Sequence, residues 1–169
     1  MQGLFSSLCR LRNYCASLIA HFDGIRYLLI FAAPPNPASM SEKIVLLADD
    51  DSDDRYFIKQ AIISSGLSIK LIEAENGAEL IALLSHSTLA ISLIILDMNM
   101  PKMNGLETIS EIKAMQRIAS VPVVMISTSP SQDLLDKAYK AGVQSFMPKP
   151  NTFEEFIDLI NFLNKQFLS

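Results

Sequence analysis

The residues best suited to chemistry are polar side chains that directly follow short apolar runs. Asp97 comes after residues 91–96, a bounded run almost without polar side chains. Such a run is typical of a central parallel strand that is buried on both faces. Pro101 and the Asn-Gly pair at 104–105 then predict a tight loop, so Asp97 is expected at the exit of a strand. Taken alone, an aspartate there is explained as well by loop bracing as by chemistry.

Other polar groups occupy equivalent positions after apolar runs. They are Asp49 and Asp50 after the first run, Ser127 and Thr128 after the fourth, and Lys149 after the fifth. The carboxyl ends of parallel strands share one edge of a sheet, so these side chains are expected to meet there. Carboxylates held together repel one another unless a cation compensates. A hard divalent ion meets that need, and few carboxylates with room for water and phosphate favour Mg²⁺ over Ca²⁺.

This set of side chains indicates phosphoryl transfer. An aspartate beside Mg²⁺ and a lysine is a credible nucleophile towards phosphorus and would form an aspartyl phosphate. The metal and the ammonium would neutralise charge on the transferred group, and the hydroxyl of Ser127 would bind the product phosphoryl. A phosphatase with an aspartyl nucleophile is a minor alternative, because Asn99 cannot supply a second carboxyl group for acid-base work.

The acidic run at 49–54 has a competing interpretation as a calcium loop. That interpretation fails because Asp54 stands where the loop needs Gly, and Gln60 stands where it needs a bidentate Glu. We instead interpret Asp53 and Asp54 as acids in the first turn of a helix, where the macrodipole favours anions by roughly 0.3 to 1 kcal/mol each. A role as metal ligands is the less favoured alternative for both.

The elements that would position these residues alternate regularly from residue 44. Strands are predicted at 44–48, 69–73, 91–96, 121–126 and 144–147, each followed by a helical stretch. Caps signal four helix starts, at Ser52, Asn76, Ser129 and Thr152. Five strands alternating with five helices predict an α/β fold, a doubly wound parallel sheet covered on both faces. The second and fifth strands are the least uniformly apolar and are expected at the edges.

Composition narrows the class of protein. With 169 residues the prior is one domain, and the formal net charge of -4 argues against a broad nucleic-acid-binding surface. Before Met40 there are three arginines and one aspartate, whereas the rest of the chain carries 11 Lys or Arg against 17 Asp or Glu. Cys9 and Cys15 are too few for a disulfide framework or a zinc site, so a reducing, cytoplasmic compartment is the default.

Residues 1–39 are predicted to be an N-terminal extension, set apart by the prolines at 34–37. Apolar residues recur along it at alternating steps of four and three, which indicates one face of a helix at a membrane surface or in a dimer. A membrane span is not expected, because charged residues interrupt the apolar run, and a secretory signal fits poorly. We favour the alternative that translation begins at Met40 and that this extension is not translated.

Three motifs together resemble one protein family. Ala-Asp-Asp-Asp-Ser at 48–52 resembles its acidic pair, Leu-Asp-Met-Asn-Met-Pro at 96–101 with Gly105 resembles its phosphoacceptor loop, and Met-Pro-Lys-Pro at 147–150 resembles its Lys-Pro ending. Each motif alone is weak, but they occur in order and at domain-scale spacing. Residues 43–168 therefore resemble a response-regulator receiver domain of the CheY-like type. The resemblance implies a flavodoxin-like (βα)5 fold with strand order 2-1-3-4-5.

The resemblance implies a role for each polar residue at the sheet edge. Asp97 would be the phosphoacceptor. Asp50, Asp97 and the backbone carbonyl of Asn99 would coordinate Mg²⁺, with Asp49 helping through water. Lys149 would pair with the phosphoryl group.

The resemblance also implies a conformational switch. Ser127 would contact the phosphoryl group, and Phe146 would turn inward when that hydroxyl moves. The peptide bond before Pro150 would be cis, an isomer that proline makes cheap. Thr128 departs from the small residue that is usual after the switch hydroxyl, and its branched side chain would narrow access to the phosphoryl group.

The implied function is that of a single-domain response regulator in a two-component phosphorelay. It would be a phosphoacceptor signalling switch rather than an enzyme, although it would assist its own phosphotransfer and dephosphorylation. Its partners would be a sensor histidine kinase or a histidine phosphotransfer protein and an unknown downstream protein, with no nucleic acid and no membrane span. One alternative is a constitutive receiver-fold interaction module that phosphorylation does not regulate. Another is a relay intermediate that passes phosphate onward.

Overall fold

The computed structural model of the protein describes residues 16–22, 25–31 and 42–169. The chain divides into two compact units, Met1–Ser41 and Glu42–Ser169. In the first unit, strands β1 (Ala16–Phe22) and β2 (Ile25–Phe31) pair antiparallel, with Phe22 opposite Ile25.

The helical face predicted for the N-terminal extension is therefore wrong over the described residues of β1 and β2. Two apolar runs of seven residues, separated in the sequence by Asp-Gly, are a hairpin signal. Most residues of these runs are apolar. Apolar residues three and four positions apart therefore occur in them whether or not the segment is a helix. The remainder of that prediction, over residues 4–15, lies outside the described residues.

The second unit alternates strands and helices. Its elements are β3 (Lys43–Ala48), α1 (Ser52–Ser64), β4 (Ile69–Ala74), α2 (Gly77–His86), β5 (Ile91–Asp97), α3 (Gly105–Ala114), β6 (Val123–Ser127), α4 (Gln132–Ala141), β7 (Ser145–Pro148) and α5 (Phe153–Leu163), followed by a π-helical turn, Asn164–Leu168. The strands pair in parallel in the order β4-β3-β5-β6-β7. Counted within this sheet the order is 2-1-3-4-5, so the predicted fold and both predicted edge strands are confirmed. No helix among the described residues is long and apolar enough to cross a membrane.

The core lies on both faces of this sheet. Along β3 successive side chains point to opposite faces, so Val45 and Leu47 pack with α1 and α5, whereas Leu46 and Ala48 pack with α2, α3 and α4. All four of these side chains are buried. Cover on both faces explains why the central strands are apolar throughout, as a parallel sheet requires.

Four of the five strands of this sheet, β4 to β7, end one residue later than predicted, and the difference matters for the site. Asp97 and Ser127 are themselves the last residues of β5 and β6, and Asp97 lies opposite Ile126 in the ladder. At its other end, β6 begins at Val123 rather than at residue 121, because Pro122 has no N–H to donate to a ladder. The backbone that carries the polar residues is thus held by the sheet itself.

The helix caps were predicted in part. Asn76 and Thr152 cap α2 and α5 as expected, with side chains that accept from the N–H groups of the first helical turns. The prediction for α1 was wrong by one residue: Asp51 is the cap, because its carboxylate accepts from the Asp53 N–H at 2.8 Å. Ser131 rather than Ser129 caps α4.

Candidate functional site

The predicted polar residues meet at the carboxyl edge of the five-stranded sheet. The Asp49 N–H donates to the carbonyl of Ala74 at 3.1 Å, and the Lys149 N–H donates to the carbonyl of Ser127 at 2.9 Å. Asp97 is held between them as the last residue of β5. These hydrogen bonds extend the ladder by one residue, so the side chains leave a rigid backbone.

Three carboxylates form a cluster at this edge. One oxygen from each of Asp49, Asp50 and Asp97 lies within 4.8 Å of the others. Asp49 is 0% exposed and Asp97 is 4% exposed, whereas Asp50 is exposed to solvent. The cluster is therefore buried on the side of the sheet and open on the side of Asp50.

The cluster fits a hard divalent cation. The Asp49 Oδ1 accepts from the Asp51 N–H at 2.9 Å, but the Asp49 Oδ2 is buried and makes no hydrogen bond. This Oδ2 lies 2.9 Å from the Lys149 Nζ, so the ammonium faces it as an ion pair. Three carboxylates this close still repel one another, because a single ammonium does not balance their charge. Carboxylate oxygens are the ligands that Mg²⁺ and similar ions prefer.

The ammonium of Lys149 is surrounded by acids. Its Nζ lies 2.6 Å from the Asp54 Oδ2 and 3.1 Å from the Asp49 Oδ1, to which it donates a hydrogen bond. The Asp97 Oδ1 is more distant, at 3.8 Å. The Lys149 side chain is only 7% exposed. In this structure Lys149 thus pairs with Asp54 and Asp49 and only approaches Asp97.

Burial and charge shift the pKa values in this cluster. Burial raises the pKa of Asp97 to about 6, while the nearby Lys149 charge lowers it and the Asp49 charge raises it. Burial also raises the pKa of Asp49, against hydrogen bonds from Lys149 and from the Asp51 N–H. Burial alone would lower the pKa of Lys149, but hydrogen bonds to Asp54 and Asp49 raise it above its usual range. Lys149 therefore stays charged at neutral pH, and Asp97 is mostly ionised there.

The loop after Asp97 is closely packed against the start of α3. The Asn99 N–H donates to the Asp97 Oδ2 at 3.2 Å, and the Gly105 N–H donates to the carbonyl of Met98 at 3.0 Å. A Cβ at Gly105 would lie 2.8 Å from the backbone oxygen of Asp97, which explains the glycine. Asn104 begins α3 with a capping box that also uses Glu107. The structure thus places the Asn99 backbone at the site, and the ligand role of its carbonyl stays a prediction.

The predicted switch residues lie on β6 and β7, the two strands beyond β5 in the sheet. Ser127 is fully buried, and its Oγ accepts from the Ser129 N–H at 3.3 Å. Phe146 is 8% exposed and packs in the core under α4, so it already occupies a buried position in this structure. Thr128, the next residue along the chain after Ser127, is exposed. Their roles in switching stay predictions.

The predicted cis bond before Pro150 is wrong. The described residues contain no cis peptide bond, and the bond between Lys149 and Pro150 is trans. The trans isomer is the lower in free energy for most X-Pro bonds, by about 0.5 to 1 kcal/mol, so its presence needs no special contact.

Sequence reasoning missed Asp54 as a residue of the site. We interpreted it as an acid in the first turn of α1 in preference to a metal ligand, yet it makes the shortest contact of the Lys149 ammonium. The available signal was the connection length: α1 begins at Ser52, four residues after β3 ends at Ala48, so its first turn has to lie near the same sheet edge. Arg55 was also missed, and its Nη1 donates to the carbonyl of Asp49 at 2.7 Å.

A five-stranded parallel sheet in this order, with acids and a lysine at its carboxyl edge, is the architecture of a flavodoxin-like signalling domain. Residues 45–161 match the family described as the response regulator receiver domain. The chain belongs to this family, the CheY-like receiver domains of two-component response regulators.

Known relatives agree with this assignment. A CheY homolog, described as a chemotaxis protein of Campylobacter jejuni subsp. jejuni (strain 81-176), is 34% identical over 108 residues, which are 64% of this chain and 82% of the relative. The crystal structure of the phosphorylated cyanobacterial phytochrome response regulator RcpA superposes with a TM-score of 0.71 at 26% identity, and it covers 76% of this chain and 96% of RcpA. The Mn²⁺-bound response regulator Rcp1 superposes with a TM-score of 0.66 at 25% identity, over 73% of this chain and 93% of Rcp1.

Proposed function

We propose that the protein is a phosphorylatable response regulator that accepts a phosphoryl group on Asp97 and signals by protein-protein interaction. The donor is a phosphohistidine on a sensor histidine kinase or a histidine phosphotransfer protein. One observation carries the proposal: a buried aspartate at the end of the central strand has an ammonium 3.8 Å from its Oδ1 and two further carboxylates within 4.8 Å. The relative RcpA, which has been crystallised in a phosphorylated form, supports the proposal.

The transfer uses residues that the sheet already holds in place. A carboxylate oxygen of Asp97 forms a bond to phosphorus as the bond from phosphorus to the histidine nitrogen breaks, and the electron pair of that bond leaves with the imidazole. Lys149 balances charge on the phosphoryl oxygens. Ser127, one residue beyond the position opposite Asp97 in the ladder, supplies a hydroxyl for the bound group.

A divalent cation completes this proposal, and we assign it as Mg²⁺. Asp50, Asp97 and the backbone carbonyl of Asn99 would hold the ion, with Asp49 contacting it through water. Bound there, the ion would neutralise charge on the phosphoryl oxygens. The structure of the relative Rcp1 in a Mn²⁺-bound form supports the binding of a divalent ion.

Intact-protein mass spectrometry tests the phosphoacceptor. After incubation of the full chain with Mg²⁺ and acetyl phosphate, we expect a mass gain of one phosphoryl group in the wild type. Asp97→Asn should abolish the gain, because an amide is not a nucleophile towards phosphorus.

The matched control is Asp158→Asn, the same substitution at an exposed position of α5, which should keep the full mass gain. An unchanged gain in Asp97→Asn would reject this residue as the acceptor. Absence of any gain in the wild type, with Mg²⁺ binding demonstrated, would favour the constitutive interaction module instead.

We propose that the output surface is the face formed by α4, β7 and α5. The Phe146 N–H contacts the Tyr139 hydroxyl at 3.4 Å, so β7 is connected to a tyrosine that is 50% exposed on α4. Phosphorylation adds about -1.5 to -2 charges near the adjoining strand ends. A downstream protein in the cytoplasm would read the change at this face.

Amide NMR spectra test this surface. Phosphorylation of the wild type should shift resonances across α4, β7 and the start of α5, and Asp97→Asn under the same conditions should show none of these shifts. Shifts confined to the residues that surround Asp97 would place the output elsewhere.

A further inference from the structure

The partner of Lys149 in this structure is not the residue expected to receive the phosphoryl group. The Lys149 Nζ lies 2.6 Å from the Asp54 Oδ2, compared with 3.8 Å from the Asp97 Oδ1. The second distance is too long for a hydrogen bond, whereas the first is that of a close ion pair. An ammonium carries a single positive charge, so Asp54 competes for it with any other anion that approaches.

The two acids that hold the ammonium differ in their freedom to move. Asp49 is 0% exposed and fixed beneath the cluster, and one of its oxygens accepts from the Asp51 N–H. The Asp54 side chain is 20% exposed and stands in the first turn of α1, at the edge of the solvent. If Lys149 is drawn towards a new anion, Asp54 is the partner that can turn outward and be hydrated.

A phosphoryl group on Asp97 is such an anion. It brings about -1.5 to -2 charges and three acceptor oxygens to a site where Lys149 already lies nearby. Asp54 would then lose its counter-ion and face a like charge, which disfavours its inward position.

We infer that Asp54 is a positioning residue that competes with the phosphoryl group for the Lys149 ammonium and so lowers the affinity of the site for that group. This inference rests on the proposed function. The ion pair holds Lys149 in the unphosphorylated state, and phosphorylation exchanges one acidic partner for another. The first turn of α1 is thereby coupled to the state of Asp97.

Beryllium fluoride, a non-covalent phosphoryl analogue, tests the inference at equilibrium. The full chain is titrated by calorimetry at saturating Mg²⁺ and fluoride, as wild type, Asp54→Asn and Asp53→Asn. Asp53 is the matched control because it lies in the same helical turn with the same charge, is exposed, and makes no ion pair among the described residues. We expect Asp54→Asn to bind the analogue about three- to tenfold more tightly, the scale of a partly buried ion pair, and Asp53→Asn to stay within about twofold.

A double-mutant cycle separates competition for Lys149 from a general loss of negative charge. In a Lys149→Gln background, which has no ammonium to compete for, Asp54→Asn should leave the affinity nearly unchanged. A gain that persists in that background, an equal gain in Asp53→Asn, or no gain in Asp54→Asn would each overturn the inference. If Lys149→Gln does not fold, the comparison of Asp54→Asn with Asp53→Asn decides alone.

The inference and the proposed function fail in different ways. If the wild type binds the analogue and is phosphorylated on Asp97, but Asp54→Asn gains nothing, only the inference is rejected. If the wild type neither binds the analogue nor gains a phosphoryl group, the proposed function fails and the inference fails with it.

Discussion

At the scale of single residues, the site concentrates negative charge around one ammonium group. Asp49 and Asp97 are buried, and one ammonium is shared among them and Asp54. Burial therefore raises the pKa of both buried acids despite the lysine. This residual cost is what a bound cation would relieve, since it would balance negative charge that a single ammonium leaves uncompensated.

Metal binding should accordingly stabilise the folded protein. A ligand that binds only the native state adds roughly 2.7 kcal/mol when its free concentration is about 100 times its Kd. We expect the unfolding midpoint of the wild type to rise with Mg²⁺ in thermal denaturation, and Asp50→Asn to lose most of that rise. Asp50 is the informative position because it is exposed, so the substitution itself costs little.

Asp53→Asn serves as the control for Mg²⁺ stabilisation, since Asp53 is exposed but is not in the carboxylate cluster. Its midpoint should rise with Mg²⁺ as the wild type does. A full rise in Asp50→Asn would remove that residue from the proposed ligand set.

The residue types at the site could be predicted from sequence, but the partner of Lys149 could not. The order of strands places Asp49, Asp97 and Lys149 at one edge, because strand exits are determined by topology. The role of Asp54 depends on the direction of a side chain in the first turn of α1. A favourable position near a helix N-terminus explains the same residue equally well, so its sequence position does not distinguish the two roles.

At the scale of elements, the geometry depends on how each strand passes into its helix. The loop after β5 turns back so closely that Gly105, the first residue of α3, meets the backbone of Asp97 and Met98. Strand exits were predicted to within one residue, since apolar runs mark them well. The helix starts were less certain, because Asp51 and Ser52, or Ser129 and Ser131, are equally good caps by residue type.

Gly105→Ala should disturb the site by pushing the start of α3 away from the Asp97 backbone. The added Cβ would lie 2.8 Å from the Asp97 carbonyl oxygen and 3.0 Å from the Met98 Cα, and these are backbone atoms that cannot rotate away. We expect a loss of about 1 to 3 kcal/mol in the free energy of unfolding, as for other overpacked positions, together with slower phosphorylation by acetyl phosphate.

Ser110→Ala is the control in the same helix, because Ser110 is exposed on α3. Its free energy of unfolding should stay within about 0.5 kcal/mol of the wild type. Urea denaturation of both variants measures the difference, and equal stability of Gly105→Ala and the wild type would contradict the close approach.

At the scale of the whole molecule, the sheet with its five helices is a unit with its own core. The described residues that form both core clusters all lie between Val45 and Leu168. The paired strands β1 and β2 belong to a separate unit, and an apolar pattern at helical spacing was the wrong guide to them. Pattern reasoning works where polar residues punctuate the apolar ones, and it fails where nearly every residue is apolar.

Residues 42–169 produced alone should therefore fold and accept phosphate. We expect an unfolding midpoint within about 2 °C of that of the full chain, which corresponds to a stability change of about 0.5 kcal/mol. The yield of phosphorylated protein with acetyl phosphate should also be unchanged. A shortened chain that does not fold would show that Met1–Ser41 contributes to the stability of the second unit.

The short edge strand β7 affects how readily copies of this protein associate at high concentration. It runs for only four residues, from Ser145 to Pro148, and Pro150 follows shortly after it. Proline has no N–H group to donate. This edge of the sheet therefore presents few free backbone groups with which a strand of another molecule could form hydrogen bonds. Another strand therefore adds poorly to the sheet on that side, which protects the protein from pairing with its own copies through backbone hydrogen bonds.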